Sequence, residues 1–185
     1  MLDIASTIKD RGCDIIQFRD KESVKESILA NASSLRKLLL NTKTIFIIND
    51  YLDIAKIIDS DGVHLGQDDL SIETARIILG KDKIIGVSCH NLHQALDAQD
   101  RGADYISIGP IFNTSTKPEY KAIGLDLIKE CNKKIKIPFF VIGGINLNNI
   151  NQLLSKGAKR VAVCSVISHA KNISSVTREF HRILH

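Results

Sequence analysis

The sequence contains no tryptophan, and aromatic residues make up only 5% of its 185 positions. So few π faces argue against a platform for stacking single-stranded nucleic acid. A basic arm is missing as well: acidic residues interleave with the lysines, and the formal net charge is only +4. No stretch approaches the ~20 consecutive apolar residues that a membrane-crossing helix needs. The opening residues MLDIASTIKDRG are amphipathic and lack the apolar core of a signal peptide. Cysteine is sparse and scattered. Cys13, Cys89, Cys131 and Cys164 form no CxxC pair, which excludes a zinc site or disulfide framework of the usual spacing. These absences point to a soluble cytoplasmic protein with reduced thiols, acting on neither nucleic acid nor membrane. The length suits one domain over residues 1–185.

What is present is alternation. Nearly continuous apolar runs recur at 14–19, 44–49, 62–65, 84–88, 105–109, 139–143 and 160–164, as expected of strands buried on both faces of a parallel sheet. Between them, apolar positions recur at helical spacing over 24–40, 52–58, 72–79, 92–101, 125–132 and 147–155, with a last helix near 176–184. Gly80, Gly102 and Gly157 stand where left-handed helix ends are expected. The pattern predicts a parallel α/β fold. Seven strands are visible, and a helix over Ile4–Arg11 precedes the first of them. A TIM (β/α) barrel needs eight, so the strand that should precede Ile4 is absent from this sequence.

Polar residues gather where the predicted strands end, the face on which parallel barrels build their sites. Gln17, Arg19 and Lys21 follow the first strand, Asn49 and Asp50 the second, and Gln67, Asp68 and Asp69 the third. Ser88 and His90 follow the fourth; Thr114, Thr116 and Lys117 lie in the loop after the fifth. Gly143 and Gly144 follow the sixth, and Cys164 and Ser165 the seventh. Two aspartates from separate loops suit a Mg²⁺ ion shared with a phosphorylated substrate; each could equally cap the helix that follows. Arg19 and Lys21 suit phosphate, or belong to a solvated loop. The Gly143–Gly144 pair suits a phosphate contact or a plain tight turn, and the 113–118 segment a lid or a polar loop with proline. His64, inside a strand, reads as a core residue. His90 and His93 read as surface residues opening a helix, and Cys164 as a small buried filler with a pocket contact as the alternative.

In order along the chain, Gln17-Phe-Arg-Asp-Lys21, Ile48-Asn-Asp50, Asp61-Gly-Val-His-Leu-Gly-Gln-Asp-Asp69, Gly86-Val-Ser-Cys-His90 and Gly109-Pro-Ile-Phe-Asn-Thr-Ser-Thr-Lys117 resemble the thiamine-phosphate synthase family. The resemblance implies a Mg²⁺-dependent transferase. It would join 4-amino-2-methyl-5-hydroxymethylpyrimidine diphosphate to 4-methyl-5-(2-hydroxyethyl)thiazole phosphate, releasing diphosphate. It further implies that Gln17, Arg19, Lys21, Asn49, Ser88 and Lys117 hold the pyrimidine diphosphate, with Arg19, Ser88 and Lys117 as the catalytic set. Asp50 and Asp69 would hold Mg²⁺; Thr114, Thr116, Gly144, Cys164 and Ser165 would hold the thiazole phosphate. Partners would be these small molecules, and a homo-oligomer is compatible. Family members begin with a strand that is missing here, which leaves two barrel edges without a neighbour. The alternatives are the related thiazole tautomerase, a phosphosugar isomerase barrel, or a truncated, non-catalytic binder of thiazole or thiamine phosphate.

Overall fold

A computed structural model describes residues 1–114 and 121–185. The apolar runs form strands and the helically spaced stretches form the connections between them. In chain order the elements are α1 (Leu2–Lys9), β1 (Ile15–Phe18), α2 (Lys25–Leu39), β2 (Ile45–Asn49), α3 (Leu52–Ile57), β3 (Gly62–Leu65), α4 (Ile72–Leu79) and β4 (Ile84–Cys89). There follow α5 (Leu92–Asp100), β5 (Tyr105–Ile108), α6 (Asp126–Lys134), β6 (Phe139–Ile142), α7 (Ile150–Ser155), β7 (Val161–Ala162), α8 (Ser165–Ser168) and α9 (Ile173–Leu184). Among the described residues no helix is long and apolar enough to cross a membrane.

The seven strands lie in the order β1 to β7, every neighbouring pair parallel. A doubly wound open sheet would reverse its strand order at a switch point. This sheet never does, and the progression is that of a (β/α) barrel. It is a curled half-barrel: among the described residues β1 pairs only with β2, and β7 only with β6. The helical layer does meet across the gap. Helix α1 packs on α9, and Arg11 Nε donates to Ser174 Oγ at 2.8 Å.

Burial follows this openness. Strands β3 and β5 are buried at every position, whereas β1 buries only Ile16 and β7 is half-buried throughout. Phe46, Ile48, Val63, Ile85, Ile106 and Val141 are fully buried and anchor the core. Gly86 is needed inside β4, because a Cβ there would lie 2.1 Å from the Tyr105 ring.

At the amino ends of the strands, carboxylates act as fasteners. Asp61, just before β3, accepts the N–H of Phe46 at 2.7 Å and a hydrogen bond from Arg36 at 3.1 Å. Asp104, just before β5, accepts the N–H of Ile85 at 2.7 Å and Arg76 at 2.8 Å. The other guanidinium nitrogen of Arg76 donates to the Lys83 carbonyl at 2.6 Å, tying the loops before β4 and β5 together.

Some boundaries differ from those expected. The helix expected over 147–155 begins only at Ile150, because Asn146 and Asn149 turn the chain: Asn149 Oδ1 accepts the Asn146 N–H at 2.8 Å, and its Nδ2 donates to the Gly144 carbonyl at 2.9 Å. Strand β7 shrinks to two residues, paired only with β6. Helix α8 was not expected; four residues carry no period to read.

Candidate active site

The carboxyl ends of β1 to β4 enclose a cleft of about 190 Å³ lined by Arg19, Lys21, Asn49, Asp50, Gly66, Gln67, Asp68, Asp69, Ser88 and His90. Six of the expected site residues meet here: Arg19, Lys21, Asn49, Asp50, Asp69 and Ser88. A larger groove of about 630 Å³ touches Asp50 from outside the sheet, but Leu52, Ile57, Leu70 and Ile78 make it apolar. Chemistry on a charged ligand belongs to the smaller, polar cleft.

Neither aspartate caps a helix. The cap of α3 is Tyr51, and Ser71 caps α4 by accepting the Thr74 N–H at 3.2 Å. Asp50 instead adopts a left-handed backbone, φ 64°, with its N–H given to the His64 carbonyl at 2.9 Å. Non-glycine residues pay strain for that conformation, and Asp tolerates it better than most. Asp69 folds back so that its Oδ2 accepts the Gly66 N–H at 2.6 Å. The two carboxyls come within hydrogen-bonding reach of each other. Burial first, and then Asp69, push the Asp50 carboxyl above its ordinary range, against the pull of Lys21.

Lys21 Nζ abuts Asp50 Oδ2. That oxygen is buried, and even with the ammonium beside it receives no hydrogen bond of regular geometry. The Asp50 partnership raises the Lys21 ammonium's pKa, with Asp69 adding to the effect and Arg19 opposing it. The loop carrying Lys21 has its own support, since Asp20 Oδ1 accepts the N–H groups of Glu22 at 3.1 Å and Ser23 at 3.0 Å. Two close carboxylates, one with an undersatisfied oxygen, are a donor set that a hard divalent cation fits. Mg²⁺ commonly takes one or two carboxylates and completes its shell with water and phosphate oxygens. Among the described residues no group of three or more His, Cys, Asp or Glu gathers around a point, so the remaining positions would fall to those oxygens.

Beneath the cleft runs a polar chain. His64, 4% exposed, has Nδ1 2.9 Å from the Tyr105 hydroxyl and Nε2 2.9 Å from Ser88 Oγ. Ser107 Oγ lies 3.2 Å from the same Nε2. Gln17 hydrogen-bonds to Tyr105, whose burial raises the phenol's pKa. His64 is thus a core residue, as expected, and one that holds the Ser88 hydroxyl in place.

Two residues, His90 and Cys164, stand differently from expectation, and Gln67 joins the cleft from its strand-end position. His90 belongs to the cleft: its Nδ1 lies 2.6 Å from the Gly109 carbonyl, and the helix starts only at Leu92. Cys164, expected as a buried filler, is exposed beside the half-buried β7. Gln67 lines the cleft and gives its Nε2 to the Ser88 carbonyl at 2.6 Å. The whole segment Gly66-Gln-Asp-Asp69 lines the cleft, and its position at a strand end carried that signal. His93 is exposed, as read.

Of the residues expected to hold the second substrate, the described ones, Thr114, Gly144, Cys164 and Ser165, are not among those lining this cleft. Gly144 has φ 64°, and a Cβ on it would come within 2.5 Å of the Asn113 carbonyl oxygen, so the glycine pair packs directly under the loop after β5. Thr114 ends the described part of that loop, and Ser165 opens α8 after β7. Thr116 and Lys117 lie outside the described residues.

A family model described as thiamine monophosphate synthase matches residues 1–167. The chain is 44% identical over 174 residues to the thiamine-phosphate synthase of Halalkalibacterium halodurans, covering 94% of this chain and 82% of that protein. To the thiamine-phosphate synthase of Methanosarcina mazei it is 41% identical over 176 residues, covering 95% and 73%. Among solved structures, a thiamine phosphate pyrophosphorylase from Pyrococcus furiosus superposes with a TM-score of 0.91 at 32% identity, over 99% of this chain and 88% of that one.

Proposed function

The chain belongs to the thiamine monophosphate synthase family, and from that premise we propose how its strand-end cleft carries out the family's transfer. The enzyme joins the pyrimidine diphosphate to the thiazole phosphate, giving thiamine phosphate and diphosphate. The observation that carries this is the convergence of Asp50, Asp69, Lys21 and Arg19 on one cleft. A tautomerase acting on the thiazole phosphate alone would leave those cations and the acidic pair without a diphosphate to hold.

The reaction breaks the bond from the pyrimidine methylene carbon to the diphosphate oxygen, both electrons leaving with the diphosphate. The thiazole nitrogen then donates its lone pair to that carbon and forms the new C–N bond. No side-chain nucleophile is required; the protein has to stabilise a departing anion and hold two partners in line. Asp50 and Asp69 would hold Mg²⁺, which would supply positive charge against the leaving diphosphate. Arg19 offers a planar fork for phosphate oxygens, and Lys21 and Lys117 add point charges. Gln17, Asn49 and Ser88 orient the pyrimidine, with the Ser88 hydroxyl steadied by His64 from below. Thr114, Thr116, Gly144, Cys164 and Ser165, at the ends of β5 to β7, hold the thiazole phosphate.

The test is an assay of the purified chain with both substrates, with and without Mg²⁺, beside Asp69→Asn. The amide keeps an acceptor for the Gly66 N–H but removes the charge. Turnover should fall by roughly 10²-fold or more while the melting temperature stays within about 2 °C. Equal losses of activity and stability would make Asp69 structural and end the proposal.

A further inference from the structure

Two carboxylates drawn from different loops repel unless positive charge sits with them. In this chain positive charge is already there, supplied by Lys21 at Asp50 Oδ2, with the Asp69 carboxylate also within its electrostatic reach. An ammonium and a divalent cation at that one oxygen compete for its lone pairs and repel each other. We propose that Lys21 is a resident stand-in for the metal, so that the free enzyme takes up a divalent cation weakly and the diphosphate brings about its loading.

Resting on the function proposed above, the geometry provides the parts for such an exchange. The Lys21 side chain is 46% exposed, whereas that of Asp50 is only 14% exposed, so the ammonium can leave while the carboxylate stays. Its loop is shaped by Asp20 through backbone N–H groups and needs no rebuilding when Nζ swings away. A diphosphate entering beside Arg19 offers the ammonium another anion and offers the metal further oxygen ligands. Each change favours the other. By reciprocity, whatever factor diphosphate adds to metal affinity, metal adds to diphosphate affinity. Lys21 thereby sets the order of loading.

The experiment measures Mn²⁺ binding to the full chain by the paramagnetic signal of free Mn²⁺, with and without inorganic pyrophosphate and corrected for Mn²⁺–pyrophosphate complexes. Lys21→Met and Lys21→Gln are compared with the unaltered protein, their folding checked by circular dichroism. Both variants should bind Mn²⁺ at least tenfold more tightly than the unaltered protein when pyrophosphate is absent. The increase brought by pyrophosphate should shrink correspondingly. Adding Asp69→Asn to Lys21→Met should erase the gain. Suppose instead that the Lys21 variants bind Mn²⁺ no more tightly, yet the unaltered protein with pyrophosphate binds it in an Asp69-dependent way. The stand-in role then falls and the metal site survives. No Asp69-dependent Mn²⁺ in any arm removes both.

Discussion

Aspartate appears at both ends of this sheet and does opposite work there. At the amino ends, Asp61 and Asp104 each receive a backbone N–H and an arginine, so their oxygens are well provided with donors. At the carboxyl ends, Asp50 and Asp69 face one another, and Asp50 Oδ2 is buried without a regular hydrogen bond. The first pair fastens strands; the second brings two carboxylates together at a cost in stability, and the proposed metal site rests on that feature. Binding sites are often built this way, with satisfied groups holding unsatisfied ones in position.

That contrast can be broken most forcefully at the amino end. Arg76→Ala removes the Asp104 contact and several carbonyl contacts at once. It should destabilise the chain by about 2–3 kcal/mol in urea titrations, while leaving the Mn²⁺ affinity of the folded protein unchanged. A smaller loss, about 1–2 kcal/mol, is expected for Asp61→Ala, where the Phe46 N–H loses its acceptor.

At the other end the sign reverses. The Asp50 carboxyl titrates above its ordinary range when folded. The stability gained by protonating it is therefore complete below pH ~4, the unfolded value, and is lost as pH rises through the folded one. Around neutral pH without divalent cation, the charged form is a net burden. Asp50→Asn should then raise the melting temperature by about 2 °C while abolishing turnover, and the gain should vanish near pH 3. A lower melting temperature at neutral pH would place Asp50 among the fasteners.

Much of the scaffold was legible in the sequence because burial on both faces leaves an unmistakable mark. Strands β2 to β5 run through Ile, Val, Phe and Leu with little interruption. The edges were harder: β7 keeps only two paired residues, and asparagine side chains at 146 and 149 outcompete a helical turn that apolar spacing alone suggested. At the site, the strand-end rule identified Arg19, Lys21, Asn49, Asp50, Asp69 and Ser88 as neighbours, because a parallel sheet brings all its carboxyl ends to one face. It placed His90 at a strand end but not in the cleft, and it could not identify the Tyr105–His64 chain. Those depend on which way a side chain turns, and on Gly86 leaving room for a ring.

The uneven burial of the four thiols has a practical consequence. Burial pushes Cys89 up to about 12, and Cys13 and Cys131 to about 11, so all three are poor nucleophiles at neutral pH. Cys164 alone is exposed, immediately before Ser165 at the start of α8. A maleimide dye added to the unmodified protein should therefore attach at that one position. It would give a fluorescent reporter at the carboxyl end of β7, with no engineered cysteine required.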